Sequence, residues 1–257
     1  MVNITQAPNL HRHQDTGVHR ERSTQTGHEV PPSIAILQPI TWSTYQALVA
    51  DLGDHSAARL AYDQGTLEIK MPSPLHELLN RLLERIVITL TEELGMSLLP
   101  LGSTRFENAA LEQGVEPDSC FYIQNADRVD LEDPNSILTL PPDLVIEIDI
   151  TSSSKSRLKI YQTLGVPEIW LYSRQEISIL RLEQGQYQSC QNSAIFTVLS
   201  RQMLQDWVEQ GQRSKNHNPL IAQFRSTLQS LAPNDLLRQI PGKQAGNSGF
   251  HGPVDSV

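Results

Sequence analysis

The chain is poor in cysteine, in aromatic residues and in basic charge, and it has no long apolar run. Cys120 and Cys190 are its only cysteines, too few for a disulfide framework or a cysteine-type zinc centre. That scarcity fits a reducing compartment, so a cytoplasmic location is expected. No stretch approaches the apolar length that a bilayer span needs, and no membrane partner is expected. Residues 1–32 lack the apolar centre of an export signal. They are polar, carry His11, His13, His19 and His28 at irregular spacing, and have the composition of a disordered tail. Residues 233–257, with their Gly, Pro and Ser content, read as a second flexible tail.

Basic residues number 20 against 29 acidic ones, a formal net charge of −9. Proteins that grip nucleic acid mainly through phosphates usually carry a basic patch, so this balance argues against tight non-specific DNA binding. It does not exclude an enzyme whose carboxylates hold a metal, because such a site is acidic until cations enter. There is no internal repeat, and no helix-turn-helix or finger to supply base specificity.

What remains, residues 33–232, is enough for one core, and its pattern is α/β: a mixed, curved central β-sheet flanked by helices. Thr41 is an N-cap candidate for a helix over 42–52. Residues 58–62 and 66–71, separated by Asp63-Gln64-Gly65, read as a hairpin. Pro74 opens a long helix in which Leu75, Leu78, Leu79, Leu82, Leu83, Ile86, Val87, Leu90 and Leu94 recur at helical spacing until Gly95. Strands are expected over 96–101 and 103–107, then a loop over 108–115. A strand over 116–123 follows, and after a polar connection another over 143–150. Ser152 to Ser154 would cap a helix ending at Gly165, and strands over 168–172, 177–182 and 186–189 would close the sheet. Residues 204–209 and 220–231 read as helices.

The strand over 143–150 is the most informative segment. Alternation puts Leu144, Ile146, Ile148 and Ile150 on one face and Asp143, Val145, Glu147 and Asp149 on the other. Carboxylates this close repel one another and resist burial, so they face open solvent or surround a cation. A glutamate inside an apolar strand needs a partner, and Asp118 on the preceding strand is the natural second ligand. Asp118 and Glu147 are thus the candidate metal ligands, and their hard oxygens favour Mg2+ or Mn2+ over zinc. Read alone, Asp118 after Pro117 also fits a turn-capping aspartate, and His76 fits a helix-start or packing residue.

Pro117-Asp118, then Glu147 in an apolar strand, then a helix ending in Tyr161-Gln162-Thr163-Leu164-Gly165-Val166-Pro167-Glu168-Ile169-Trp170, resembles the Uma family of putative restriction endonucleases. The resemblance spans about residues 41–231 and implies the restriction-endonuclease-like, PD-(D/E)XK fold, with DNA as partner and hydrolysis of phosphodiester bonds as activity. It implies Asp118 and Glu147 as catalytic metal ligands. Where the superfamily pattern has lysine two residues after the acid, Asp149 stands here; the family often carries its lysine on the next helix, at the place of Arg157. Arginine keeps the charge but has no realistic neutral form: if the family lysine accepts a proton the substitution weakens catalysis, and if it only stabilises charge Arg157 serves in its place. Lys155 and Lys159, two residues to either side of Arg157, point to other helix faces. His76 matches a histidine common near the start of the first long helix, with Glu77 beside it as a further candidate, and Asp149 is an accessory one. Gly165, Pro167 and Trp170 read as structural: a helix stop, a turn and a strand entry. A homodimer is expected, since related folds cut both strands with two sites. A second reading keeps the fold without the chemistry, as a catalytically impaired nucleic-acid-binding or regulatory module. A third, a solute-binding or scaffold protein, would have widely separated carboxylates.

Overall fold

A computed structural model describes residues 33–53, 57–150 and 155–231. The two tails and the Ser152 to Ser154 cap lie outside the described residues.

Two sheets meet, with a helix, α4 (Lys155–Leu164), packed against both. The larger has six strands in the order β11-β10-β9-β8-β7-β4. They are β4 (Leu99–Gly102), β7 (Ser119–Tyr122), β8 (Leu144–Asp149), β9 (Glu168–Ser173), β10 (Glu176–Glu183) and β11 (Gln186–Cys190). Only β8 and β9 run parallel within it, joined by the crossover helix α4 (Lys155–Leu164); the other pairs are antiparallel. The smaller sheet is antiparallel, in the order β1-β3-β2-β6-β5: β1 (Ser33–Leu37), β2 (Arg59–Asp63), β3 (Thr66–Met71), β5 (Phe106–Asn108) and β6 (Gln113–Val115).

The hairpin β2–β3 turns on Gln64 (φ 46°) and Gly65 (φ 98°), the left-handed pair that matches the twist of its strands. Helix α2 (Pro74–Leu94) begins where the Ser73 hydroxyl accepts from the His76 N–H at 3.2 Å. It ends at Gly95, left-handed at φ 62°, with Met96 N–H donating to Thr91 O. Its apolar stripe packs with α5 (Arg201–Arg213) and α6 (His217–Ser230) on one face of the larger sheet, over Leu144, Ile146, Ile148 and Trp170. On the opposite face, Cys120, Val145 and Ile169 meet Ile160, Tyr161 and Val166 of α4 and its C-terminal turn, with Ala61, Phe106 and Val115 of the smaller sheet. Helix α1 (Trp42–Leu52) covers the outer side of the smaller sheet through Tyr45, Leu60, Tyr62 and Leu67. A short helix, α3 (Pro134–Thr139), lies in the polar connection.

Several boundaries differ from the sequence reading. Residues 108–115 were expected as a loop, yet β6 lies there, and β1 was not among the expected strands. Both are short strands whose register comes from long-range partners, β2 for β6 and β3 for β1. The 143–150 strand is buried on both faces rather than on one, because the smaller sheet and α4 cover the side that carries the acids. Gly114, in β6, packs against the ring of Tyr45: an added Cβ would lie 2.8 Å from Tyr45 Cζ. Tyr45 is fully buried and its hydroxyl donates to Glu107, so the ring has little freedom to yield. Gly114→Ala is expected to lower the unfolding free energy by about 1–3 kcal/mol, read from urea denaturation.

Candidate active site

Asp118 sits just ahead of β7, where Ser119 is in register with Ile146. One step further along the antiparallel pair places Asp118 beside Glu147 of β8. The backbone of Asp118 is fixed from α2: Asn80 Nδ2 donates to its carbonyl at 3.2 Å, and the next residue, Ser119, donates through Oγ to Glu84 at 2.5 Å. Its carboxylate reaches across the strands, with Oδ2 accepting from Ile148 N–H at 2.7 Å and from Lys70 Nζ at 2.9 Å. His76 Nε2 lies 2.9 Å from the same oxygen. Burial by itself would raise the Asp118 carboxyl, but Lys70, His76 and Arg157 outweigh it and hold the group well below the usual carboxylate range.

Glu147 is fully buried and lies in the opposite regime. Burial, with Asp118 and Asp149 adding to it, exceeds the pull of Arg157 and Lys70 and pushes its carboxyl up to about 7. Its Oε1 accepts from the Tyr161 hydroxyl and from Arg157 Nη1 at 3.4 Å. Asp149, two residues on and on the same face, brings Oδ1 to 3.7 Å from Lys70 Nζ.

Lys70 is the foremost of the residues that sequence reasoning missed. On β3, Leu67 and Ile69 face α1, so Glu68 and Lys70 face the larger sheet. Alternating charged and apolar residues in a strand ordinarily mean one wet face. Here that face is covered, and Lys70 is 1% exposed among three carboxylates, with Nζ 2.9 Å from Asp118, 3.6 Å from Glu147 and 3.7 Å from Asp149. Burial works against its ammonium, yet Asp118 and Glu147 outweigh that and raise its pKa. Nothing local in the sequence marks it.

Arg157, the expected cationic partner, is 0% exposed, which rules out a solvated helix position. Its Nε donates to Glu68 Oε1 at 2.8 Å, Nη1 to the Glu116 carbonyl at 2.8 Å and Nη2 to the Arg59 carbonyl at 3.4 Å. With Glu147 as a fourth acceptor, the guanidinium ties both sheets to α4. Tyr161, one turn further on α4, holds the other side of Glu147.

The structure therefore brings Asp118, Glu147, Asp149, His76 and Arg157 together and adds Lys70, Glu68 and Tyr161. Glu77 stays at the surface, its side chain 41% exposed, beside His76 and Arg81. Lys159 projects outward to pair with Asp63 at 2.6 Å. Asp143 does not join the acidic cluster: four residues from Glu147, it accepts from Ile123 and Asn125 N–H and holds the following loop. The Gly-Val-Pro-Glu-Ile-Trp segment is structural. Gly165 (φ 81°) ends α4, and Glu168 accepts from Trp170 Nε1 at 2.8 Å and Ser193 Oγ at 2.6 Å.

Asp118 Oδ1 and Glu147 Oε2 are buried and make no hydrogen bond among the described residues. A desolvated carboxylate oxygen without a donor is costly. Four carboxylates, Glu68, Asp118, Glu147 and Asp149, share the cluster with the cations Lys70 and Arg157, an excess that one divalent cation would neutralise. Among the described residues no three His, Cys, Asp or Glu side chains form a ready metal cage. A small hard cation held by one or two carboxylates together with water and substrate oxygens needs no such cage. Asp118 Oδ1 and Glu147 Oε2 are the atoms available to it.

The chain is similar to a crystal structure from Anabaena variabilis ATCC 29413, described as a putative nuclease belonging to DUF820. The two are 17% identical, the match covers 66% of this chain and 99% of that one, and the TM-score is 0.49. No functionally curated protein matches. The family model described as Uma2, putative restriction endonuclease, matches residues 42–211, which run from the start of α1 into α5 and include every residue of the cluster. Carried on that match, the chain belongs to the Uma2 family of putative restriction endonucleases.

Proposed function

We propose that this chain is a divalent-metal-dependent endonuclease that hydrolyses phosphodiester bonds in DNA. The observation that carries the reading is the pair of buried oxygens on neighbouring strands, Asp118 Oδ1 and Glu147 Oε2, left without hydrogen bonds among the described residues. Mg2+ or Mn2+ held there would polarise the scissile phosphate and lower the pKa of an attacking water. Asp118 supplies a ligand kept ionised by its cationic neighbours. Glu147 supplies a second, its Oε1 pinned by Tyr161 and Arg157 so that Oε2, 3.6 Å from Lys70 Nζ, is the oxygen without a hydrogen bond. Lys70, which reaches all three strand carboxylates, is the cation that would steady charge developing on the phosphate. Arg157 is a positioning residue, because its donors are committed to Glu68, Glu147 and two backbone carbonyls. His76 braces Asp118. Membership of the Uma2 family supports the nuclease class.

One observation favours the other reading, a nucleic-acid-binding module without catalysis. The Lys70 ammonium lies among the carboxylates, a counter-ion that the fold itself supplies. Supercoiled plasmid incubated with the protein in Mg2+, Mn2+ or EDTA separates the two. Nicking that needs either metal, stops in EDTA and is lost in a folded Glu147→Ala variant is the expected result. Intact plasmid in both metals, with DNA binding retained, would establish the binding module.

A further inference from the structure

Lys70 and Arg157 meet the carboxylates of the cluster in different ways. Arg157 is held by directional bonds, its guanidinium donating to Glu68, Glu147 and two backbone carbonyls. Lys70 Nζ makes one hydrogen bond among the described residues, to Asp118 Oδ2 at 2.9 Å, and stands 3.6 Å from Glu147 Oε2 and 3.7 Å from Asp149 Oδ1. Its charge therefore serves three carboxylates while its donors serve one. Glu68, on the same face of β3, is committed to Arg157 and Ser156. A compact charge set among carboxylates of neighbouring strands acts on them as a bound cation does, except that this one is carried on a flexible four-carbon stem of the chain.

That placement opposes a metal. Glu147 Oε2, one of the two oxygens open to a divalent cation, already lies 3.6 Å from the ammonium, and Asp118, which carries the other, already engages Oδ2 with it. Asp118, Glu147, Asp149 and Lys70 are each no more than 2% exposed, so neither water nor salt does much to screen the ammonium from a second cation beside it. The opposite change has the opposite effect. Without the ammonium, Asp118, Glu147 and Asp149 lose the cation they share, and their mutual repulsion is what a metal would then relieve.

We infer that Lys70 is a tethered counter-ion that competes with the metal for Asp118 and Glu147: it holds the cluster together when no metal is bound and gives up its place when metal binds. The inference rests on the nuclease reading for its metal ligands, but it is tested by binding and stability and not by cleavage. Mn2+ is titrated by calorimetry into wild type, Lys70→Met, Lys70→Gln and Lys70→Arg at one pH and ionic strength. The two neutral variants are expected to bind at least about tenfold more tightly than wild type, and Lys70→Arg, which keeps the charge, no more tightly. In urea without metal, the neutral variants should have lower midpoints than wild type, and saturating Mn2+ should raise theirs by more than it raises that of wild type. Either neutral variant suffices if the other does not fold; failure of both to fold even in Mn2+ would overturn the inference, since metal then does not replace the ammonium. Neutral variants that bind no more tightly than wild type, tightening in Lys70→Arg as well, or no Mn2+ binding by any form would each overturn it, whether or not the plasmid is nicked. Tightening in the neutral variants alone, with a wild-type protein that never nicks, would uphold the exchange and defeat the nuclease reading alone.

Discussion

Arg157→Met is expected to lower the unfolding free energy by about 3–5 kcal/mol, seen as a lower urea midpoint with an unchanged slope. The side chain is fully buried, so solvent cannot replace what it provides. Its loss leaves Glu68 without its 2.8 Å donor and Glu147 with Lys70, 3.6 Å away, as its remaining cation, and it strips the Arg59 and Glu116 carbonyls of their guanidinium donors. Removing one member of a buried charged network costs far more than the network contributes when intact, because the remaining charges stay desolvated. Arg157→Lys should fall between the two: the charge survives, but a point-like ammonium cannot span acceptors that a planar fork reaches. A midpoint for Arg157→Met within experimental error of wild type would show that the guanidinium does not hold the two sheets and α4 together.

Asp118→Asn is expected to reduce Mn2+ affinity, read by calorimetry, by more than about 100-fold and to abolish metal-dependent nicking. The amide removes a negative ligand and also disturbs three fixed contacts, with Lys70, His76 and Ile148 N–H. Lys70 then keeps a buried ammonium without its nearest counter-charge, so the single variant should also be destabilised. Adding Lys70→Met removes that unpaired charge, and the double variant should be more stable than the sum of the single effects predicts, by about 0.5–3 kcal/mol. Full additivity would show that Asp118 is not the partner of Lys70, and Mn2+ affinity unchanged in Asp118→Asn would show that it is not a metal ligand.

Much of the framework was legible because its signals are local. Ser73, Pro74 and Gly95 bound α2, and Gln64-Gly65 set the turn of the β2–β3 hairpin. The apolar run around Glu147 gave β8, and the Gly-Val-Pro-Glu-Ile-Trp segment gave the end of α4 and the start of β9. Asp118 and Glu147 could be paired in advance because a carboxylate inside an apolar strand demands a partner and the neighbouring strand offers one. The short strands β1 and β6 escaped, since each is defined by ladder partners far along the chain.

Sequence by itself thus determined most of the elements, which follow from periodicity and capping within a few turns of chain, and it carried the motif on which the family resemblance rests, with Asp118 and Glu147 as candidate ligands. Tertiary structure alone decided what surrounds those carboxylates. Glu68 and Lys70 look like the wet face of a hairpin until the smaller sheet lays that face on the larger one. Arg157 looks like a free cation on a helix until its guanidinium is seen bonded to Glu68, Glu147 and two carbonyls. The reason is physical: the partners of a buried charge are chosen by which surfaces meet, at separations of up to 98 residues, and no local pattern encodes that meeting.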